Sequence, residues 1–482
     1  MDDKKQPANP EKGTAEVMNI DPRLARRIQE ELGQNVYLCY QCVKCTSGCP
    51  VGEYFDWQPN QVMRALQLGQ EDIALHAQTP WLCAACQTCS TRCPQGLDIN
   101  AIMEFLTREA LARGIKPAVY EVDAFNKAFM REVRLWGRSY ELGLLAEMKL
   151  RTLRTHKITD DLDLGVRVIA KNKLPFLPTF ARSPSKVKAV PGANKAVAYY
   201  PGCSLHSTGK EFNVSTQAVC EALDLTLIEP RGWMCCGSSA AHRIDPEAAL
   251  RLPLENLAII EQSGFEEVTM PCAACFNRHK AAQHEIRHDE QRKAAMDQEI
   301  GYTYQDSVRV SSLVEAIFRR VGVEEVAARV KRPLEGLRVV CYYGCLLTRP
   351  PQVTEAANPE NPTEMDSLME ALGAEVVDWS YKTSCCGAAH SLTRPDIVLN
   401  LSSHLIGHAR EAGADVIAVA CPLCHTNLDA RQFQMKLAEP MPVMYFTQLM
   451  VLALGLPEQS AALKKNLVDP YPLLRSKGFV AG

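Results

Sequence analysis

Two runs, CYQCVKCTSGCP and CAACQTCSTRCP, set eight cysteines into one spacing, CxxCxxCxxxCP, at Cys39, Cys42, Cys45 and Cys49 and again at Cys83, Cys86, Cys89 and Cys93. This repeated spacing constrains the chain more than any stretch of hydrophobic periodicity. A loop of this kind wraps three thiolates around one iron-sulfur cubane, and the fourth cysteine, ahead of a proline that cannot continue a hydrogen-bonded element, reaches the neighbouring cluster. The spacing assigns Cys39, Cys42, Cys45 and Cys93 to one [4Fe-4S] cubane, and Cys83, Cys86, Cys89 and Cys49 to a second. A zinc-binding scaffold is the rival reading. Structural zinc sites, however, use separated CxxC pairs around one tetrahedral ion, not two four-cysteine runs ending in CP.

Twenty cysteines in 482 residues, with no apolar secretory segment at the N-terminus, argue for thiolate ligation in a reducing compartment and against a disulfide framework. The opening MDDKKQPANPEKG reads as part of a polar, disordered tail over 1–20. The most apolar segment, MPVMYFTQLMVLALGL from Met441 to Leu456, is too short to span a bilayer and reads as a core helix. The expectation is a cytoplasmic protein with no direct membrane span. A formal net charge of -3 gives no electrostatic case for nucleic acid or anionic lipid.

Beyond the cassettes the chain repeats itself. AVAYYPGC, Ala196 to Cys203, returns as LRVVCYYGC, Leu337 to Cys345. Cys203 is followed by the adjacent pair Cys235 and Cys236 in GWMCCGSSAAH, then by Cys272 and Cys275; Cys345 is followed in the same order by Cys385 and Cys386, then by Cys421 and Cys424. Each group comes after a short apolar run, such as VAYY, EEVTM, RVVCYY or DVIAVA, that reads as a buried parallel strand. Helical patterns closed by glycine lie between them, so each half is a β-α-β-α-β-α unit. In open parallel sheets the ligand crevice lies beyond the carboxyl ends of the strands, where all ten cysteines fall. Three loops thus bring five thiolates to one sheet edge. Four would satisfy a cubane or zinc, so a fifth implies a cluster that departs from the cubane. A disulfide between adjacent cysteines would leave the other three unexplained. Cys220 and Cys341 stand outside the pattern and read as buried small apolar residues.

The fold class is therefore α+β and multidomain, a helical ferredoxin-like two-[4Fe-4S] domain followed by two repeated α/β halves with parallel sheets. The expected boundaries are a tail over 1–20, the two-cluster domain over 21–150, a linker over 151–195, and halves over 196–335 and 336–482. Within the first domain DWQPNQVMRALQLGQEDIALHA has helical periodicity, and GLDINAIMEFLTREALARG starts a helix behind Asp98 or Asn100 as its cap.

These motifs resemble a known family. The first cassette region resembles the C subunit of heterodisulfide reductase, and Ala196 to Leu456 resembles the B subunit, including CYYGCLLTRPPQ, NPTEMDSLMEALGAEVVDWSYKTSCCGA and VACPLCHTNLDARQ. The chain thus resembles a fusion of the C and B subunits, with paired-cysteine (CCG) halves. The resemblance implies that Cys203, Cys235, Cys236, Cys272 and Cys275 hold one noncubane [4Fe-4S] cluster, that Cys345, Cys385, Cys386, Cys421 and Cys424 hold another, and that a small-molecule or protein disulfide is cleaved between them.

Breaking a disulfide takes two electrons and clusters deliver one at a time, so two flanking clusters divide one difficult step into two. The chain has no GxGxxG-type nucleotide or flavin fingerprint. The electrons are therefore expected from a partner: by resemblance a flavoprotein subunit, or else a hydrogenase, formate dehydrogenase or cytochrome. His242, His390, His206 and His425 lie close in sequence to the cysteines, and His242 and His390 are the candidate proton donors. Arg349 and Lys382 read as solvated surface cations rather than substrate contacts. The alternative function is a pure electron relay of the kind that serves flavin-dependent glycolate, lactate or glycerol-3-phosphate oxidation.

Overall fold

A computed structural model of the chain describes residues 22–153, 155, 161–182, 186–435, 437 and 439–480. The tail expected over 1–20 lies outside the described residues. In the N-terminal region short helices surround the two cysteine loops. The periodic stretch between the cassettes forms two helices, Pro59–Gln67 and Glu71–His76, because the chain turns at Gly69, whose φ of +65° is the left-handed region that glycine enters without a Cβ penalty. Asp98, not Asn100, caps the helix Ile99–Ala112, its carboxylate accepting from Ala101 N at 3.0 Å. Ile28, Val62, Ile102 and Leu106 form the centre of this region's own core.

The two halves carry the same sheet twice. Strands β1 (Val197–Tyr199), β2 (Leu227–Ile228), β3 (Glu267–Met270) and β4 (Arg309–Ser312) lie in the order β2-β1-β3-β4. Strands β5 (Arg338–Tyr342), β6 (Glu375–Val376), β7 (Val416–Val419) and β8 (Val443–Tyr445) lie in the order β6-β5-β7-β8, and every pairing in both sheets is parallel. β3 and β7 are buried along their length, as strands covered by helices on both faces must be.

Each sheet gains a fourth strand that the three-strand expectation lacked. β8 occupies the start of the apolar segment read as one core helix, leaving the helix to Phe446–Ala453; three apolar residues before a helix carry no period that separates strand from helix. That helix is buried throughout. It packs on Lys210–Ala222 of the first half, where Phe212 stacks on Tyr445 at 4.1 Å and Ser215 Oγ lies 2.7 Å from Thr447 Oγ1. One hydrophobic core therefore runs through both halves. Among the described residues no helix is long and apolar enough to cross a membrane.

Candidate metal centre

The two cassettes share a backbone conformation that costs energy. Gln41 and Val43 flank Cys42, Ala85 and Gln87 flank Cys86, and all four have φ between +51° and +65°. Non-glycine residues rarely adopt that region, and for a β-branched valine it is strained. Alternating left- and right-handed residues turn successive backbone N–H groups into one concavity, the nest that binds anions and iron-sulfur groups.

The two loops lie close together. Cys49 lies beside Cys86 and Cys83, and Cys89 faces Cys83, Cys86 and Cys49. Cys93 and Cys42 both lie by the ring of Tyr40. Burial pushes the Cys83 thiol up to about 12, as expected of a sulfur in apolar surroundings. The cassettes differ in exposure. Cys42 is exposed among Tyr37, Leu38, Tyr40 and Val43, whereas Cys86 is buried.

All ten cysteines of the repeat line one cavity of about 550 Å³. Within each half the Cys203 thiol lies against Cys235 and the Cys345 thiol against Cys385. Cys236 Sγ lies 3.4 Å from Cys275 Sγ, and Cys386 Sγ lies 3.6 Å from Cys424 Sγ. Between the halves the Cys272 thiol lies against Cys421, so the two sheet edges face each other across a sulfur seam. Every cysteine is a free thiol, including both adjacent pairs.

Gly202 and Gly344 shape the rim. Each has positive φ, and a Cβ on either would stand 2.9 Å from a sulfur, Cys275 Sγ or Cys424 Sγ respectively. Sequence reasoning missed Tyr200 and Tyr342, although the repeated YY was visible. Their hydroxyls donate to the carbonyls of Met234 and Ser384, at 2.5 and 2.6 Å, and so pin the residue ahead of each adjacent cysteine pair.

The N-terminal region docks on both halves through its second cassette, on the first half through Arg243 and on the second through Arg349. Arg243 donates to the carbonyls of Trp81 and Cys83, and Arg349 to the hydroxyls of Thr88 and Thr383. The Cys86 thiol lies against Cys385, and that neighbour, with Thr88 and Arg349 adding to it, holds the Cys86 thiol below its usual range despite burial. Arg349 is thus an interface residue and not a solvated cation. Lys382 is likewise buried, 2.7 Å from Asp366.

Of the histidines, His242 lies on the cavity wall with Arg278, its Nδ1 2.7 Å from Glu104 Oε1 on the Ile99–Ala112 helix. Burial pushes the Glu104 carboxyl up, but His242, Arg278 and Asn100 outweigh it and pull the group down to about 2. His390 lies elsewhere, its Nε2 against the Leu82 carbonyl at 2.9 Å and its Nδ1 against Thr393, and burial drives its imidazole down to about 3. It joins the two regions. His425 stacks on Tyr445 with Nε2 against the Val443 carbonyl, and His206 sits beside Glu229 and Trp233.

The residues present fit iron-sulfur groups: strained nests at both cassettes, and thiols spread round a cavity whose rim excludes even a methyl group. Residues 38–98 match the family described as a 4Fe-4S dicluster domain, and residues 197–278 and 339–429 match the cysteine-rich domain family, CCG. A protein named 8-methylmenaquinol:fumarate reductase membrane anchor subunit, from Wolinella succinogenes, is 32% identical over 289 residues, 58% of this chain and 99% of the relative. The B subunit of the ferredoxin/F420H2-dependent CoB-CoM heterodisulfide reductase of Methanosarcina acetivorans is 27% identical over 288 residues, 58% of this chain and 95% of the relative. In the N-terminal region, the C subunit of the H2:CoB-CoM heterodisulfide,ferredoxin reductase of Methanothermobacter marburgensis is 31% identical over 108 residues, 22% of this chain and 58% of the relative.

Dicluster domain and duplicated cysteine-rich domain together define an iron-sulfur protein of the oxidoreductase type. The chain belongs to the cysteine-rich CCG family that includes the B subunit of heterodisulfide reductase, with an N-terminal region related to the C subunit.

Proposed function

We propose that this chain is the disulfide-cleaving component of a multisubunit reductase. It would hold two cubane [4Fe-4S] clusters in the N-terminal region, with Cys39, Cys42, Cys45 and Cys93 on one and Cys83, Cys86, Cys89 and Cys49 on the other. Each five-cysteine set would hold a noncubane [4Fe-4S] cluster. The observation that carries this reading is the single cavity lined by all ten thiols, closed by the Cys272 to Cys421 contact across the seam. When bound, the clusters supply single electrons and iron with an affinity for thiolate sulfur.

The chain's own residues give the route its direction. The exposed loop at Cys42 offers an entry point for an electron donor, which by resemblance is a flavoprotein and otherwise a hydrogenase, formate dehydrogenase or cytochrome. The buried loop at Cys86 touches Cys385, so the second half receives electrons ahead of the first. Reduction of a disulfide consumes two electrons and two protons and yields two thiols. Phe125, Phe129, Leu144 and Met148 wall the cavity and keep water from a half-reduced sulfur. His242, held by Glu104, stands where it can deliver a proton to a leaving thiolate. The relatives' names differ in electron partner but share membership in reductase complexes, which does not favour the relay alternative.

Replacing Cys386 with alanine tests the reading. Iron should fall from about 16 atoms per chain, four clusters of four, by about four, and disulfide reduction should be lost while the electron paramagnetic signals of the N-terminal cubanes persist. Full turnover in that variant, or stoichiometric zinc in the wild type, would overturn it.

A further inference from the structure

The helix Leu162–Ala170 is apolar both toward the cavity and toward solvent, with Leu162 at the rim between the two. Leu162, Leu164 and Val168 line the thiol cavity. Leu162, Val166 and Ile169 recur four and three residues apart, one line down a helix, and are 58%, 59% and 43% exposed. The chain that follows, LPFLPTF, adds Phe176, Leu177 and Phe180 at 70%, 78% and 71% exposure. Lone exposed apolar residues are ordinary, whereas a run of six large ones marks a contact surface.

This surface is not a loose tether. At its start Asp161 Oδ1 lies 3.2 Å from Arg431 Nη1 and accepts from Gln434 Nε2 at 2.7 Å. At its end Lys171 Nζ donates to the Lys464 carbonyl at 2.7 Å, and buried Lys173 pairs with Glu211 at 2.5 Å. The stripe is therefore held outward by bonds at both ends.

Beside it Asp163 is paired with Arg167, and the charge beyond the helix's C-terminal end is basic. Lys171, Lys210, Lys464 and Lys465 gather at the helix's C-terminal end, with Lys210 Nζ on the Asn172 carbonyl at 3.0 Å and Lys465 Nζ on the Lys171 carbonyl at 3.2 Å. The ammonium groups of Lys171, Lys210 and Lys465 thus rest on carbonyls rather than carboxylates. Burial and nearby Lys210 and Lys173 hold the Lys465 ammonium below its usual range, with Glu211 acting against them. An anionic surface laid here would relieve that repulsion. Summed over 482 residues the formal charge of -3 conceals such a local patch.

We propose that the outward stripe of Leu162–Ala170, with Phe176, Leu177 and Phe180, seats on an anionic lipid bilayer as a non-spanning interfacial contact, the lysines against the headgroups and the apolar side chains in the headgroup–acyl boundary. The seating brings the cavity rim at Leu162 to the membrane, and it stands independently of the disulfide reading.

Co-sedimentation of the full iron-loaded chain with vesicles of phosphatidylcholine plus phosphatidylglycerol, or of phosphatidylcholine alone, tests this. The chain should sediment with the anionic vesicles and much less with the neutral ones, more weakly as salt rises. Val166→Glu with Ile169→Glu should weaken binding by about tenfold or more, Phe176→Gln with Leu177→Gln should do the same, and Lys171→Glu with Lys464→Glu should abolish the anionic preference. Unchanged iron content shows that each variant is folded. The proposal fails if the wild type stays in solution, if the apolar variants sediment like it, or if binding requires an integral membrane protein in the vesicles. It fails equally if the variants instead split a dimer in light scattering, since the face would then join two copies of the chain.

Discussion

At Gly344 a single added methyl group would meet Cys424 Sγ at 2.9 Å on a backbone of φ +73°, so the position tolerates neither the atom nor the conformation of another residue. Gly344→Ala should lower iron by about four atoms per chain and leave the spectra of the N-terminal dicluster domain intact. Gly202→Ala should do the same for the first half, with iron content and paramagnetic resonance as the readouts; full iron loading would show that the glycines do not shape the cradle. The cysteines themselves were legible because thiolates in fixed spacing have few other uses. Arg349 and Lys382 were not, since an isolated cation in a sequence looks solvated, and only the fold brings Thr88, Thr383 and Asp366 to meet them.

At the scale of elements, the second half is tied to the chain's last segment through Asp429, whose carboxylate accepts from Leu467 N at 2.6 Å and Val468 N at 2.9 Å. Burial raises this carboxyl to about 6, with Lys173 opposing. Because the folded value exceeds the unfolded one, the associated stability is complete below the unfolded value of about 4 and is lost as pH rises through about 6. The loss amounts to at most about 3 kcal/mol. Asp429→Asn removes the ionisation and keeps one acceptor, so its melting temperature relative to wild type should climb between pH 5 and pH 7; a constant difference would rule this out. The cysteine-bearing loops and most helices could be read from period and glycine stops. β4 and β8 could not, because RVSS is mostly polar and the three residues of β8 carry too little period to distinguish strand from helix, and their identity comes from the neighbouring strands they pair with.

Across the whole molecule the N-terminal region meets the first half through Arg243 and the second through His390 and Arg349, all around the buried cassette. Arg243→Met leaves the Trp81 and Cys83 carbonyls without their charged donor, a loss of about 2 kcal/mol. Electron passage from a viologen dye to the thiol cavity should slow while the iron content of both regions stays normal, as stopped-flow absorbance would report; an unchanged rate would show that this contact does not set the passage.

What the sequence alone determined is the iron-sulfur character of the cysteine pattern, the duplication and the parallel sheets, since each rests on local spacing and on residue types with few alternative uses. Only the tertiary structure decided that both five-cysteine sets line one cavity, that the buried cassette touches Cys385, and which histidine stands on the cavity wall. Those facts depend on side chains far apart in sequence, whose meeting is set by the shared core beneath the two sheets and not by any local pattern.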